Sequence, residues 1–261
     1  MKLFSTLAIL VILQSCSFDN KTGIWKKENS ISTKDDNLFS EFETLLSSKK
    51  IFDQIINLDK NSEFQLSNQI DNYNWKDIFF NNSNNFKNFK YNNLNKIIFK
   101  SKKLTNSPTN NFLLFEENNL ITNDQKGNII IFSINDNKII SKFNFYKKKY
   151  KKIKKLLNLV VDKNIIYVSD NIGFLYAYNY KNNKLLWAKN YKVPFRSNLK
   201  LHKNKIIAAS QNNNLIFFNK ETGEIAKSIP TEETIIKNKF TNNLSIENEN
   251  LFFLNTYGSL Y

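Results

Sequence analysis

Between residues 120 and 261 the chain writes one short unit four times: an apolar run, a tight polar turn and a second apolar run. The copies are 120–132, 166–178, 206–218 and 251–261, and they turn at Gly127, Gly173, Asn213 and Gly258. Gly and Asn tolerate the left-handed backbone that such hairpins need. A second polar turn follows in the first three copies, at Asn135-Asp136-Asn137, Lys181-Asn182-Asn183 and Glu221-Thr222-Gly223, and leads into a third short strand such as 184–187. Spacings between the first turns are 46, 40 and 45 residues. That period, filled by short antiparallel strands, predicts propeller blades. Evenly spaced hairpins would also suit an all-β sandwich. Two turns kept in register across three copies favour the propeller, so 105–261 reads as all-β, with four-stranded antiparallel blades.

The N-terminus is of another kind. Met1-Lys2 is a short basic start, and 3–13 is an apolar run too short to span a bilayer as a helix. It ends in Leu13-Gln14-Ser15-Cys16, where the chain's only cysteine stands. This pattern resembles the lipobox of bacterial lipoproteins, which implies a signal peptide over 1–15 and an acylated Cys16 as the mature N-terminus. Acyl chains anchor because each buried methylene contributes about 0.8 kcal/mol. Ser17, where a retention signal would place Asp, implies delivery to the outer membrane. Residues 16–37 are polar without a sustained period and read as a lipidated tether. Residues 38–104 are expected to hold a short amphipathic helix, capped at Asp36 and carrying Leu38, Phe39, Phe42 and Leu45, and then the first propeller strands. Within them, 81–95 is Asn-rich and reads as a long irregular connection.

Residues 166–187, Ile-Tyr-Val-Ser-Asp-Asn-Ile-Gly-Phe-Leu-Tyr-Ala-Tyr-Asn-Tyr-Lys-Asn-Asn-Lys-Leu-Leu-Trp, resemble the quinoprotein-type (PQQ-like) propeller repeat. The neighbouring copies have Ser141 and Lys227 where this one has Trp187. With the lipobox and tether, the repeats resemble the BamB (YfgL) family of lipoproteins of the β-barrel assembly machinery. Family members close eight blades. Three to five would fit here, so the resemblance implies an incomplete propeller truncated at its C-terminus. It also implies a non-catalytic scaffold on the periplasmic face of the outer membrane. Its partners would be a BamA-like barrel insertase and, by strand addition, unfolded outer-membrane proteins. In that family an inter-blade segment contacts the insertase. The matching positions are Val193, Phe195 and Arg196, expected on an exposed loop. The family's second, acidic contact would fall near Lys239 and Thr241, and neither is acidic.

Arg196 stands out without any family. It is the only Arg among 38 basic residues, and a planar, stacking guanidinium is favoured at interface anchors. The net charge of +15 rests on Lys, and 45 residues are Asn. Groove-reading proteins draw on Arg, so the charge reads as solvated surface and no nucleic acid is expected. The run 147–155 holds seven Lys in nine residues; it could meet anionic headgroups but reads first as a solvated inter-blade linker. Catalysis is not expected. A quinoprotein dehydrogenase, the alternative enzyme class, needs a cysteine pair that Cys16 cannot supply alone. The carboxylates Asp124, Asp162, Asp170, Glu221 and Glu224 are scattered, and His202 is solitary. No cofactor and no metal are therefore expected. A generic cell-envelope binding propeller is the remaining alternative.

Overall fold

The computed structural model describes residues 16–18, 25–27, 68–69, 71, 74–86, 88–90, 97, 99–110, 112–232 and 240–261. The chain divides into two units, Met1–Phe64 and Gln65–Tyr261. In the first, β1 (Cys16–Phe18) pairs antiparallel with β2 (Trp25–Lys27), with Cys16 opposite Lys27. A two-stranded ribbon thus stands where the sequence suggested a featureless tether. The signal peptide and the expected helix at 36–47 lie outside the described residues.

The second unit is an incomplete β-propeller. Blade 1 is β3 (Leu114–Glu116), β4 (Asn119–Asn123), β5 (Asn128–Ser133) and β6 (Lys138–Asn144). Blade 2 is β7 (Leu157–Asp162), β8 (Ile165–Asp170), β9 (Phe174–Asn179) and β10 (Lys184–Asn190). Blade 3 is β11 (Lys200–His202), β12 (Lys205–Ala209), β13 (Leu215–Asn219) and β14 (Ile225–Ile229). Each is a four-stranded antiparallel meander in sequence order. Blade 4 holds β15 (Asn243–Glu247) and β16 (Asn250–Leu254), and Tyr261 then exchanges two backbone hydrogen bonds with Phe253.

The apolar runs of the middle strands are continuous where a blade is buried on both faces, as in blades 2 and 3, whereas in blade 4 one face is open and Phe252 and Leu254 are exposed. Along a strand, side chains alternate between faces. In β7, Leu159 and Val161 join the core shared with Ile129 and Ile131 of blade 1, while Val160 between them joins the core shared with Ile206 and Phe218 of blade 3. In β12, Ile206 and Ala208 face blade 2, and Ile207 and Ala209 face Leu244 and Phe253 of blade 4. One-residue alternation therefore divides each of these two strands between two seams.

The four expected turns are the turns between the second and third strands. Gly127, Gly173, Asn213 and Gly258 all have positive φ, from +61° to +99°. The residue three positions earlier organises the turn. Lys126 and Asn128 N–H donate to Asp124 Oδ1 at 2.9 and 3.0 Å, and Ile172 and Phe174 N–H donate to Asp170 Oδ1, both at 2.8 Å. In blade 4, Tyr257 and Ser259 N–H donate to Asn255 Oδ1 at 2.9 and 3.0 Å. Ser210 holds this place in blade 3 and is too short to repeat the pattern. There Asn213 is secured instead, donating to Glu232 O and accepting from Thr256 Oγ1.

In the second unit the described residues before Leu114 form only isolated bridges, not blade strands. Residues 74–86 cross the inner strands in turn. Trp75 bridges Phe115 of β3, and Asp77 bridges Val160 of β7. Asn82 Nδ2 donates to Leu201 O of β11 (2.8 Å), and Ile246 N–H of β15 donates to Asn82 O (2.8 Å). The described part of the Asn-rich segment, 81–86 and 88–90, holds no strand, and its Asn82 reaches blades 3 and 4, while Trp75 and Asp77 just before it reach blades 1 and 2.

Candidate functional site

The inner strands begin around a cavity of about 670 Å³. Its wall includes one residue from the same register position of four consecutive blades. Asn110 N–H donates to Asn123 O, Asn158 pairs with Ser169, Arg196 N–H donates to Ala209 O, and Asn243 pairs with Leu254. Asn123, Ser169, Ala209 and Leu254 each precede the residue that stands three positions before Gly127, Gly173, Asn213 or Gly258. All four ring residues line the cavity. The chain's only Arg stands where the other blades have Asn.

The backbone at Arg196 is fixed from both sides. Its N–H donates to Ala209 O at 3.1 Å, and its carbonyl accepts from Asn242 N–H at 2.8 Å. Phe195 beside it is 2% exposed and packs edge-on to Phe218 and Tyr191, with ring centroids 5.8 and 5.9 Å apart. This corrects the expectation of an exposed inter-blade loop. Phe195 plugs the seam between blades 2 and 3, because its strand position points into that core. Val193 is partly buried, with its backbone against the Gly173 turn, and Arg196 is half-buried at the cavity wall. The structure therefore gathers Val193, Phe195 and Arg196 on one segment but gives each a different surrounding. Cys16 lies in the other unit, in β1. Of the second contact, Lys239 is outside the described residues and Thr241 lines the same cavity.

Sequence reasoning missed the other ring members. Asn110, Asn158 and Asn243 are three among 45 Asn, and only the register of the inner strands singles them out. Asn242 was missed as well. It is 3% exposed, its Nδ2 donates to Ser210 O, and its Oδ1 has no hydrogen-bond partner. Asn110 Nδ2 is likewise buried and unpartnered.

The ionisable groups have structural surroundings. His202 Nε2 lies 3.1 Å from Glu249 Oε2, an acceptor it shares with Lys203. Asp124 and Asp170 are buried in their turns. Burial raises Asp124, but hydrogen bonds from Asn128, Thr105 and Lys126 outweigh it and hold the carboxyl below its ordinary value. For Asp170 burial prevails over the hydrogen bonds from Tyr146, Phe174, Ile172 and Gly173, and the carboxyl is pushed up. Among the described residues no three His, Cys, Asp or Glu side chains cluster as metal ligands. In the run 147–155 six Lys are exposed, while Lys155 is buried, donates to Tyr150 O and lies over the Tyr146 ring. The run is thus an exposed loop pinned at one end, not a linker solvated throughout.

No protein-family model matches the chain, and no curated protein sequence matches it. Solved structures do. The computationally designed Ika4 protein aligns over 62% of this chain and 97% of its own, with 12% identity and a TM-score of 0.48. BamB from Moraxella catarrhalis aligns over 57% of this chain and 41% of its own, with 15% identity and a TM-score of 0.45. A quinohemoprotein alcohol dehydrogenase from Pseudomonas putida HK5 aligns over 45% and 20%, with 14% identity and a TM-score of 0.39. The chain spans under half the length of the latter two proteins. The chain's own sheets establish its propeller fold.

Proposed function

We propose that this chain is a non-catalytic scaffold lipoprotein of outer-membrane β-barrel assembly, which docks the barrel insertase through the segment 193–196. The observation that carries the reading is the placement of Arg196. The single guanidinium of a Lys-rich chain sits on a backbone clamped by two hydrogen bonds, beside a buried aromatic plug. Such pre-organisation is what an interface anchor needs, since little side-chain and loop freedom is lost on docking. The lipobox at Cys16 and the quinoprotein-type repeat support the same reading. Anchoring through Cys16 would hold the propeller at the periplasmic face of the outer membrane, near the insertase.

Co-purification with the insertase tests this. Arg196→Ala should weaken binding by about thirtyfold, the equivalent of roughly 2 kcal/mol. Arg196→Lys should weaken it too, because the charge stays but the planar fork is lost. Parent-like binding by both variants would place the interface elsewhere.

A further inference from the structure

We infer that the loop 147–156 docks on an anionic lipid surface, its lysines meeting headgroup phosphates and Ile153 and Leu156 entering the headgroup layer. This goes beyond the insertase-docking role and does not depend on it. Lys147, Lys148, Lys149, Lys151, Lys152 and Lys154 are all exposed. Among the described residues none of the six forms an ion pair. Asp124 and Asp170, the carboxylates whose charge reaches Lys155, are buried in their turns. The six charges therefore face outward with nothing to neutralise them, and a surface of phosphates is their complement. Lys126 is exposed as well, in the blade 1 turn to which the loop is tied.

The loop is also held in place. Lys155 N–H donates to Gln125 O of the blade 1 turn (3.0 Å). Asn171 of the blade 2 turn accepts from Leu156 N–H (2.9 Å) and donates to Lys154 O (3.1 Å). A patch fixed in this way loses little freedom on docking. Two apolar side chains decide between a bilayer and a soluble polyanion. Ile153 is 44% exposed and Leu156 51% exposed, among and beside the lysines. A phosphodiester backbone or an acidic protein face offers them only water or charge, whereas a headgroup layer has acyl carbon beneath it. The cations are all Lys, point charges that suit a diffuse lipid field and not the paired acceptors that an Arg fork would grip.

The test is co-sedimentation of the whole chain, carrying Cys16→Ser so that no acyl group contributes. Vesicles of mixed phosphatidylglycerol and phosphatidylcholine are compared with phosphatidylcholine alone, and the ratio of the two affinities cancels any part played by the apolar run 3–13. The chain should prefer the anionic vesicles by about thirtyfold or more, and salt should erode that preference. Each Lys close to such a surface strengthens binding about fivefold. Replacing Lys148, Lys151 and Lys152 together by Gln should therefore lower the ratio at least tenfold, with melting unchanged. Replacing Lys138, Lys181 and Lys184 by Gln removes the same charge at the third-to-fourth-strand turns, the other end of the blades, and should lower it clearly less. Ile153→Ser with Leu156→Ser should weaken binding to the anionic vesicles about fivefold. Should the loop triple variant fail to fold, Lys152→Glu alone provides the comparison and should lower the ratio about fivefold. The inference falls if both kinds of vesicle bind alike, if the two triple variants behave alike, or if the apolar double variant binds as the parent does. Tighter binding of a short DNA duplex or a polyglutamate peptide at matched charge would overturn it too. None of these results bears on insertase co-purification, so this inference and the docking reading fail separately.

Discussion

Lys200 Nζ, wholly buried on the inner strand of blade 3, lies 2.8 Å from Asp77 Oδ2, in a segment 123 residues earlier. The ammonium also donates to Asn81 O (2.8 Å) and Asn84 Oδ1 (2.6 Å). This one side chain joins three residues of the crossing segment 74–86 to blade 3. Burial pushes Asp77 up and Lys200 down, in each case against the attraction of the partner. Desolvation thus works against both charges, and the pair is retained for what it positions more than for its energy.

Lys200→Met alone should therefore destabilise the chain by about 3–5 kcal/mol, because it strands Asp77 as a buried unpaired carboxylate. Asp77→Asn added to Lys200→Met should recover part of that loss by removing the stranded charge. Chemical denaturation of the single and double variants measures the coupling. Additive losses would show that the two groups do not interact.

The turn positions were legible in the sequence because backbone handedness restricts the residue there. Gly127, Gly173, Asn213 and Gly258 could be read without any tertiary information. Strand faces were legible only as unbroken apolar runs, since burial on both faces erases the alternation that would have assigned each side chain. The ring was not legible. Asn110 and Asn158 look like any other Asn, and only inner-strand register joins them to Arg196. Phe195 was misplaced for a related reason. Apolar residues beside Arg196 between two repeats read as an exposed inter-blade loop, but the bridge from Phe195 to Ser210 makes it an inner-strand residue packed in a seam.

That placement separates two neighbours. Phe195→Ala should cost about 3–5 kcal/mol of stability, the usual loss for emptying a buried aromatic position. Arg196→Ala should lower the melting transition clearly less than Phe195→Ala, since the backbone hydrogen bonds that fix the segment survive truncation. If Phe195→Ala melts as the parent does, Phe195 does not plug the seam.

Asp124 and Asp170 occupy the same turn position yet titrate in opposite directions, so their Asn variants should differ in sign. Asp124 is lowered in the fold. Its carboxylate contributes stability above the ordinary value of 3.8, and that contribution fades as pH falls through the still lower folded value. Asp124→Asn should destabilise at neutral pH and flatten the acid limb of the stability curve. Asp170 is raised. Its charge opposes folding above the folded value, and the parent regains that stability as pH falls from there toward 3.8. Asp170→Asn keeps the acceptor for Ile172 and Phe174 and should be neutral or stabilising at pH 7. Denaturation midpoints between pH 3 and 7 decide this, and equal effects of the two variants would refute it.

Gly173 and Gly258 have similar positive φ, +99° and +89°, but different surroundings. A Cβ at Gly173 would meet Val193 O at 2.9 Å and Val193 N at 3.0 Å, whereas one at Gly258 would meet nothing within 4 Å. Alanine at either position carries the left-handed penalty of about 1–2 kcal/mol. At Gly173 it must also push away the backbone of the segment that leads to Phe195 and Arg196. That backbone is held by Tyr191 N–H to Gly173 O (2.8 Å) and Phe195 N–H to Asp170 O (3.0 Å), so it cannot yield without opening the seam. Gly173→Ala should therefore be the more destabilising variant, and it alone should weaken insertase co-purification. Gly258→Ala should show the conformational penalty and no binding change. Equal melting losses from the two would mean that the 193–196 segment adjusts freely, and that the pre-organisation ascribed to Arg196 is absent.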